Sequence, residues 1–117
     1  DGPSFGPYKT KTMGLLSFLL GGNKRHERLV TALQNGAQII DVRTPGEFAQ
    51  GHAKGSVNIP LNKLPNSINK ISKKGGPVVL CCRSGARAGN AQSLLQSKGV
   101  EAINAGPWQN VAKALKG

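Results

Sequence analysis

Apolar positions recur from Leu29 to Leu115 with two alternating periods. Leu29 and Leu33 fall at helical spacing within Arg25 to Asn35, and Gly36 stops that helix. Gln38-Ile39-Ile40-Asp41-Val42 follows as a short strand rich in β-branched residues. Pro45 at a first helical position, with Glu47 behind it, predicts one or two helical turns through Gln50. A loop over Gly51-His52-Ala53-Lys54-Gly55 leads to a brief strand from Ser56 to Ile59, ended by Pro60. Leu61, Leu64, Ile68 and Ile71 recur at spacings of three and four, the mark of a helix interrupted near Pro65. Lys73-Lys74-Gly75-Gly76-Pro77 breaks the chain before a wholly apolar strand, Val78 to Cys81. Ala88, Ala91, Leu94 and Leu95 then mark a helical face over Ala88 to Ser97, which Lys98-Gly99 closes. Val100 to Ile103 reads as a further strand, Ala105-Gly106-Pro107 as a turn, and Trp108, Val111, Ala112 and Leu115 as the apolar face of a last helix.

Short strands alternating with helices predict an α/β fold, a small parallel sheet covered on both faces. In such sheets ligands bind beyond the carboxyl ends of the strands. With 117 residues the chain holds one domain around one core. Aromatics are only 4% of it, so Val, Leu, Ile and Ala fill that core. The expected organisation is a single domain over 24–117, an apolar N-terminal segment over 13–23, and a foreign or disordered stretch over 1–12 ahead of a natural start at Met13. The run Met13 to Leu20 falls short of the roughly 20 apolar residues a bilayer needs. It also lacks a small-residue cleavage site, although Lys9 and Lys11 imitate the charged end of a signal peptide.

Charge narrows the partners without naming one. Sixteen Lys and Arg against five Asp and Glu give a net charge of +11, which attracts anions, from small oxyanions to nucleic acid or acidic lipid. The cations are scattered, with short groups only at Lys24-Arg25 and Lys73-Lys74, and no aromatic stripe interleaves them, so no nucleic acid is expected. The two cysteines, Cys81 and Cys82, are adjacent, which excludes a long-range disulfide framework. A vicinal disulfide would be strained, so both are read as reduced thiols, in keeping with a cytoplasmic location. Neither a Cys-x-x-Cys nor a His pair accompanies them, so no metal site is expected.

The candidate chemistry lies where the apolar strand ends. Cys82-Arg83-Ser84-Gly85-Ala86-Arg87 carries a thiol from a strand terminus through a short turn into a helix N-terminus. Such a turn aims backbone N–H groups at one point beside the sulfur and suits an anion there. A thiolate is the attacking form of cysteine, and a free thiol has a pKa of about 8.5. The helix N-terminus and the cations Arg83 and Arg87 are the available means of favouring that form. Gly85 lets the turn close without a Cβ clash, and Ser84 is placed either to donate inward or to cap the helix. A free cysteine is more often an inert core group; the strand-to-helix position and flanking cations set Cys82 apart. Cys81, its neighbour on the strand, points to the opposite side, into the core.

These residues resemble the rhodanese family, the sulfurtransferases that carry sulfur as a cysteine persulfide. The resemblance runs from about Arg28 to Leu115 and rests on two motifs. One is Ile40-Asp41-Val42-Arg43-Thr44-Pro45-Gly46-Glu47-Phe48, continuing through Gly51-His52, Gly55 and Asn58-Ile59-Pro60. The other is the Cys82 to Arg87 loop, with Gly106 and Trp108 in the family's late positions. The resemblance implies a three-layer rhodanese-like fold and a ping-pong reaction without metal or organic cofactor. Cys82 takes the outer sulfur of thiosulfate or a polysulfide, and a thiophilic acceptor, cyanide, a thiol or a protein, removes it. The segment Arg83, Ser84, Gly85, Ala86 and Arg87 binds substrate and persulfide. Asp41, Arg43 and Glu47 are implied to brace the sheet end behind the loop, Asn58 and Pro60 to shape a neighbouring loop, and His52 to brace a loop rather than act as a base. Trp108 is read as core or pocket wall.

Loop length separates this pattern from related phosphatases of the same fold, which place five residues between cysteine and arginine. Here four residues lie between Cys82 and Arg87, so negligible phosphatase activity is expected. The rival readings are a persulfide carrier serving a protein partner and an interaction module with little thiosulfate turnover.

Overall fold

The computed structural model describes residues 24–116, and the expectations for 1–12 and 13–23 lie outside the described residues. In chain order the elements are α1 (Lys24–Gln34), β1 (Gln38–Asp41), α2 (Pro45–Gln50), β2 (Val57–Asn58), a 3-10 helix (Leu61–Ser67), α3 (Ile68–Lys74), β3 (Val78–Cys82), α4 (Ala86–Ser97), β4 (Ala102–Pro107) and α5 (Trp108–Leu115).

Among the described residues the strands form one sheet in the order β2-β1-β3-β4, and every neighbouring pair is parallel. Parallel neighbours cannot be joined by a hairpin, so a helix-bearing crossover separates each strand from the next. Side chains alternate across the sheet. Ile40, Val78 and Leu80 face α4, the 3-10 helix and α3, whereas Ile39 and Val79 face α1 and α5. Both faces are buried, which is why β3 reads as a continuous apolar run: all five of its residues are buried. The result is the three-layer α/β arrangement expected from the sequence, with β3 at its centre.

Several boundaries differ from the sequence reading, each for a local reason. Strand β3 runs one residue further, through Cys82, which pairs with Pro107. Helix α4 starts at Ala86 rather than Ala88, because Gly85 adopts φ 107° and turns the chain within three residues. Strand β4 starts at Ala102 and ends at Pro107, whereas a strand over 100–103 was expected. Val100 is apolar for a different reason: it closes α4. Its N–H donates to Leu95 O at 2.9 Å and that of Gly99 (φ +80°) to Gln96 O at 3.0 Å. This is the paired-bond helix ending in which an apolar residue covers the last turn. Pro65 lies inside the 3-10 turn, and the α-helix resumes only at Ile68. On α5 the buried residues are Val111 and Ala114, while Leu115 is 43% exposed. Among the described residues no helix is long and apolar enough to cross a membrane.

Candidate active site

Strand β3 delivers Cys82 to the carboxyl edge of the sheet, and only Arg83, Ser84 and Gly85 separate it from α4. The Cys82 side chain is 1% exposed and its Sγ accepts two backbone N–H groups, from Gly85 at 2.9 Å and from Ala88 at 3.4 Å. Gly85 holds the N-cap position of α4, and Ala88 is its third residue. The first N–H groups of a helix have no partner within it, and an Asp, Ser or Thr side chain usually supplies one. Here the sulfur takes that place. Ser84, expected either to donate inward or to cap the helix, is exposed, and the helix has no capping bond from an N-cap side chain. Negative charge on Sγ therefore meets directed N–H dipoles and the positive end of α4.

The two arginines of the loop differ. Arg83 is exposed and makes no ion pair with a described residue. The Arg87 side chain was expected to act on the sulfur, but its guanidinium forms a two-pronged pair with Glu47, at 2.8 and 3.0 Å. Glu47 is in turn fixed by a capping box on α2: its N–H donates to Thr44 Oγ1 at 3.2 Å, and its Oε1 accepts the Thr44 N–H at 3.0 Å. The Arg87 bond, then the Thr44 bonds, pull the Glu47 carboxyl down to about 2. The same Glu47 bond raises the Arg87 pKa, and Cys82 adds to that shift. Glu47 was grouped with Asp41 and Arg43; its carboxylate instead clamps the loop helix to α2, because Arg87 stands on the first turn of α4, opposite the start of α2.

Asp41 and Arg43 form the buried pair implied by the resemblance. Arg43 Nε and Nη2 donate to the Asp41 carboxylate at 2.7 to 3.0 Å, and the Arg43 backbone N–H adds a further bond at 3.0 Å. The guanidinium also donates to the carbonyls of Glu47 (3.2 Å) and Gly51 (2.7 Å) and lies 5.3 Å from the centroid of the Trp108 ring. Asn58 Nδ2 donates to the carbonyls of Asp41 and Arg43, tying the edge strand to this turn. His52 is exposed, stacks on Phe48 at 3.7 Å and bonds Phe48 O through Nδ1 at 2.8 Å. It is engaged with α2 and not with the sulfur. Trp108 is half-buried against the α1–α5 side of the core.

Cys81 lies on the other face of the sheet, 0% exposed among Leu29, Val79 and Val111. Burial, then the Asp41 carboxylate, pushes its thiol up to about 12, so it stays protonated. The loop has one more side-chain partner that sequence reasoning missed. Asn104 on β4 donates through Nδ2 to Gly85 O at 3.0 Å and accepts the Gly106 N–H on Oδ1 at 2.8 Å. Its position, two residues before a Gly-Pro pair in an otherwise apolar strand, was the available signal. Among the described residues no three His, Cys, Asp or Glu side chains are gathered to hold a metal ion.

The fold and site together define an α/β protein with a cysteine whose sulfur accepts the first N–H groups of a helix at the end of an interior parallel strand. The profile of the Rhodanese-like domain family matches residues 26–114, and the chain belongs to that family. Thiosulfate sulfurtransferase PspE of Escherichia coli is 33% identical over 75 residues, 62% of this chain and 72% of that protein. Uncharacterized protein YqhL of Bacillus subtilis is 43% identical over 67 residues, 57% of this chain and 52% of that protein, so the chain matches about half the length of this relative. Among solved structures, a rhodanese with anions from E. coli superposes with a TM-score of 0.61 at 32% identity, covering 66% of this chain and 93% of that one.

Proposed function

We propose that this protein is a sulfurtransferase that moves sulfane sulfur from thiosulfate or a polysulfide, through a Cys82 persulfide, to cyanide or a thiol. The observation that carries the reading is the pair of N–H groups of Gly85 and Ala88 on Cys82 Sγ at the N-terminus of α4. In the first step the Cys82 thiolate attacks the outer sulfur of thiosulfate. The S–S bond to the sulfonate breaks, and sulfite leaves with the electron pair. The terminal sulfur of the persulfide then carries the negative charge within the loop. The N–H groups between Arg83 and Arg87 are the donors that stabilise it, as an oxyanion hole does. In the second step cyanide carbon attacks that terminal sulfur, the Cys82 thiolate leaves, and thiocyanate is released. No external base is needed for either step, which leaves His52 its bracing role.

Arg83 faces the solvent beside this loop and is the residue that meets an anionic donor, while the net charge of +11 draws such donors or an acidic protein acceptor. Two free thiols suit a reducing, cytoplasmic setting. Initial rates with thiosulfate and with polysulfide, each against cyanide, test the reading. Parallel double-reciprocal lines are expected, with turnover lost in Cys82→Ser. Sulfur loading without turnover to cyanide would favour the carrier reading, and turnover surviving in Cys82→Ser would end the proposal.

A further inference from the structure

We infer that Asn104 is a positioning residue for the sulfur cradle: it holds Gly85 in the backbone conformation that aims its N–H at Cys82 Sγ. The inference rests on the sulfur-transfer reading of Cys82 and adds a residue to that site.

Three independent features of β4 converge on Gly85. The first is a bulge. Leu80 pairs with Asn104 but Cys82 pairs with Pro107, so β4 spends one extra residue opposite the end of β3. Bulges re-aim side chains beside sites, and this one sits next to the loop. The second is a close backbone approach. Gly85 has φ 107° and Gly106 has φ 79°, and a Cβ on Gly85 would lie 3.4 Å from the Gly106 Cα. A Cβ on Gly106 would lie 2.8 Å from the flexible end of Arg25, which can give way, but the positive φ at both glycines disfavours a side chain at either position. The third is the Asn104 amide, which spans this contact by donating to Gly85 O at 3.0 Å and accepting from Gly106 N–H at 2.8 Å. Asn104 is itself tied down, since Arg25 Nη2 donates to its backbone carbonyl at 3.0 Å.

The Gly85 carbonyl and the N–H that reaches the sulfur belong to one residue. With the carbonyl held by Asn104 and by the Gly89 N–H at 2.9 Å, the peptide plane that follows Gly85 is tied from two sides, against which the Gly85 N–H is set. A glycine has the widest backbone freedom of any residue, so an external tie at this position has the most to restrain. Gly89 is bonded by the ordinary helix ladder and restrains only the helix side. Asn104 is the tie from the sheet. Asparagine suits the task because one amide both donates and accepts, and the two bonds need opposite roles.

The test uses two variants of the full chain. Asn104→Asp is isosteric and keeps the acceptor for Gly106 N–H, but cannot donate to Gly85 O when ionised. Asn104→Ala removes both bonds and adds no charge. Steady-state thiosulfate:cyanide kinetics are measured together with the amide resonances of Gly85 and Ala88 in 1H–15N spectra. Both variants are expected to lower kcat by about tenfold or more, a part of the effect of removing an oxyanion-hole donor outright. KM for thiosulfate stays within about twofold, because Arg83 and the rest of the loop remain, and the Gly85 amide shifts more than that of Ala88. An unchanged kcat in either folded variant overturns the inference, and so does a fall confined to Asn104→Asp, which would be a charge effect. If Asn104→Ala does not fold, an Asn104→Asp protein with an unmoved Gly85 amide overturns it too. A wild-type protein that turns over no donor would instead sink the sulfurtransferase reading, while the Gly85 resonance still reports on the tie.

Discussion

Gly85→Ala probes the cradle most sharply, because the structure sets both its costs. Gly85 sits at φ 107°, ψ −16°, a region that L side chains rarely adopt. Holding alanine there costs roughly 1–3 kcal/mol. A new Cβ would stand 3.4 Å from the Gly106 Cα, at the edge of ordinary van der Waals contact, so the backbone angle carries most of the cost. For a domain of this size that strain lowers the melting temperature by about 4–12 °C. If the loop relaxes to relieve it, the Gly85 N–H leaves Cys82 Sγ, from which it is now 2.9 Å away. Loss of one such donor costs about 100-fold or more in kcat. The variant is therefore expected to melt several degrees below the wild type and to turn over at least tenfold more slowly, read by circular dichroism and by thiocyanate formation. A Gly85→Ala protein with wild-type kcat, melting within about 1 °C of the wild type, would refute the reasoning.

Three further outcomes follow from the surroundings of the loop. Arg43→Met leaves the Asp41 carboxylate buried at 0% exposure without its partner, a loss of about 3–5 kcal/mol in urea unfolding; a change below about 1 kcal/mol would contradict the bracing role. The Glu47 carboxyl is lowered from 4.5 to about 2, so its contribution to stability is fully present above pH 4.5 and is lost as pH falls towards 2; the melting difference between wild type and Glu47→Gln should shrink over that range, and a constant difference would sink the assignment. Aryl phosphates should not be hydrolysed, because the loop is short and the Arg87 guanidinium is already held by Glu47; hydrolysis that disappears in Cys82→Ser would overturn this.

What was legible in the chain was whatever depends on near neighbours. The apolar run of β3 and the alternation of its side chains placed Cys81 and Cys82 on opposite faces of the sheet, and the structure has them there. The strand-to-helix turn at Gly85 was equally local. Its partners were not. Glu47 and Arg87 lie 40 positions apart, and nothing in either segment's periodicity shows which carboxylate meets which guanidinium. The capping box Thr44-x-x-Glu47 was visible, and would have marked Glu47 as fixed on α2. Gly106-Pro107 read as a turn because both residues disfavour strands. On β4, which lies at the sheet edge, a bulge accommodates the glycine, and the proline ends the strand where fewer ladder bonds are required. Ser84 is not the cap because the helix starts at Ala86 and Gly85 holds the N-cap position, while Cys82 Sγ accepts the free N–H groups, an arrangement that residue preferences alone do not reveal.

The central claim is that Cys82 carries sulfur covalently, and intact mass tests it most directly. The protein is incubated with thiosulfate or polysulfide, freed of excess donor and weighed beside Cys82→Ser. A gain of one sulfur, about 32 Da, located at Cys82 and removed by cyanide, is the predicted result. No adduct with any donor, or the same adduct on Cys82→Ser, would contradict it.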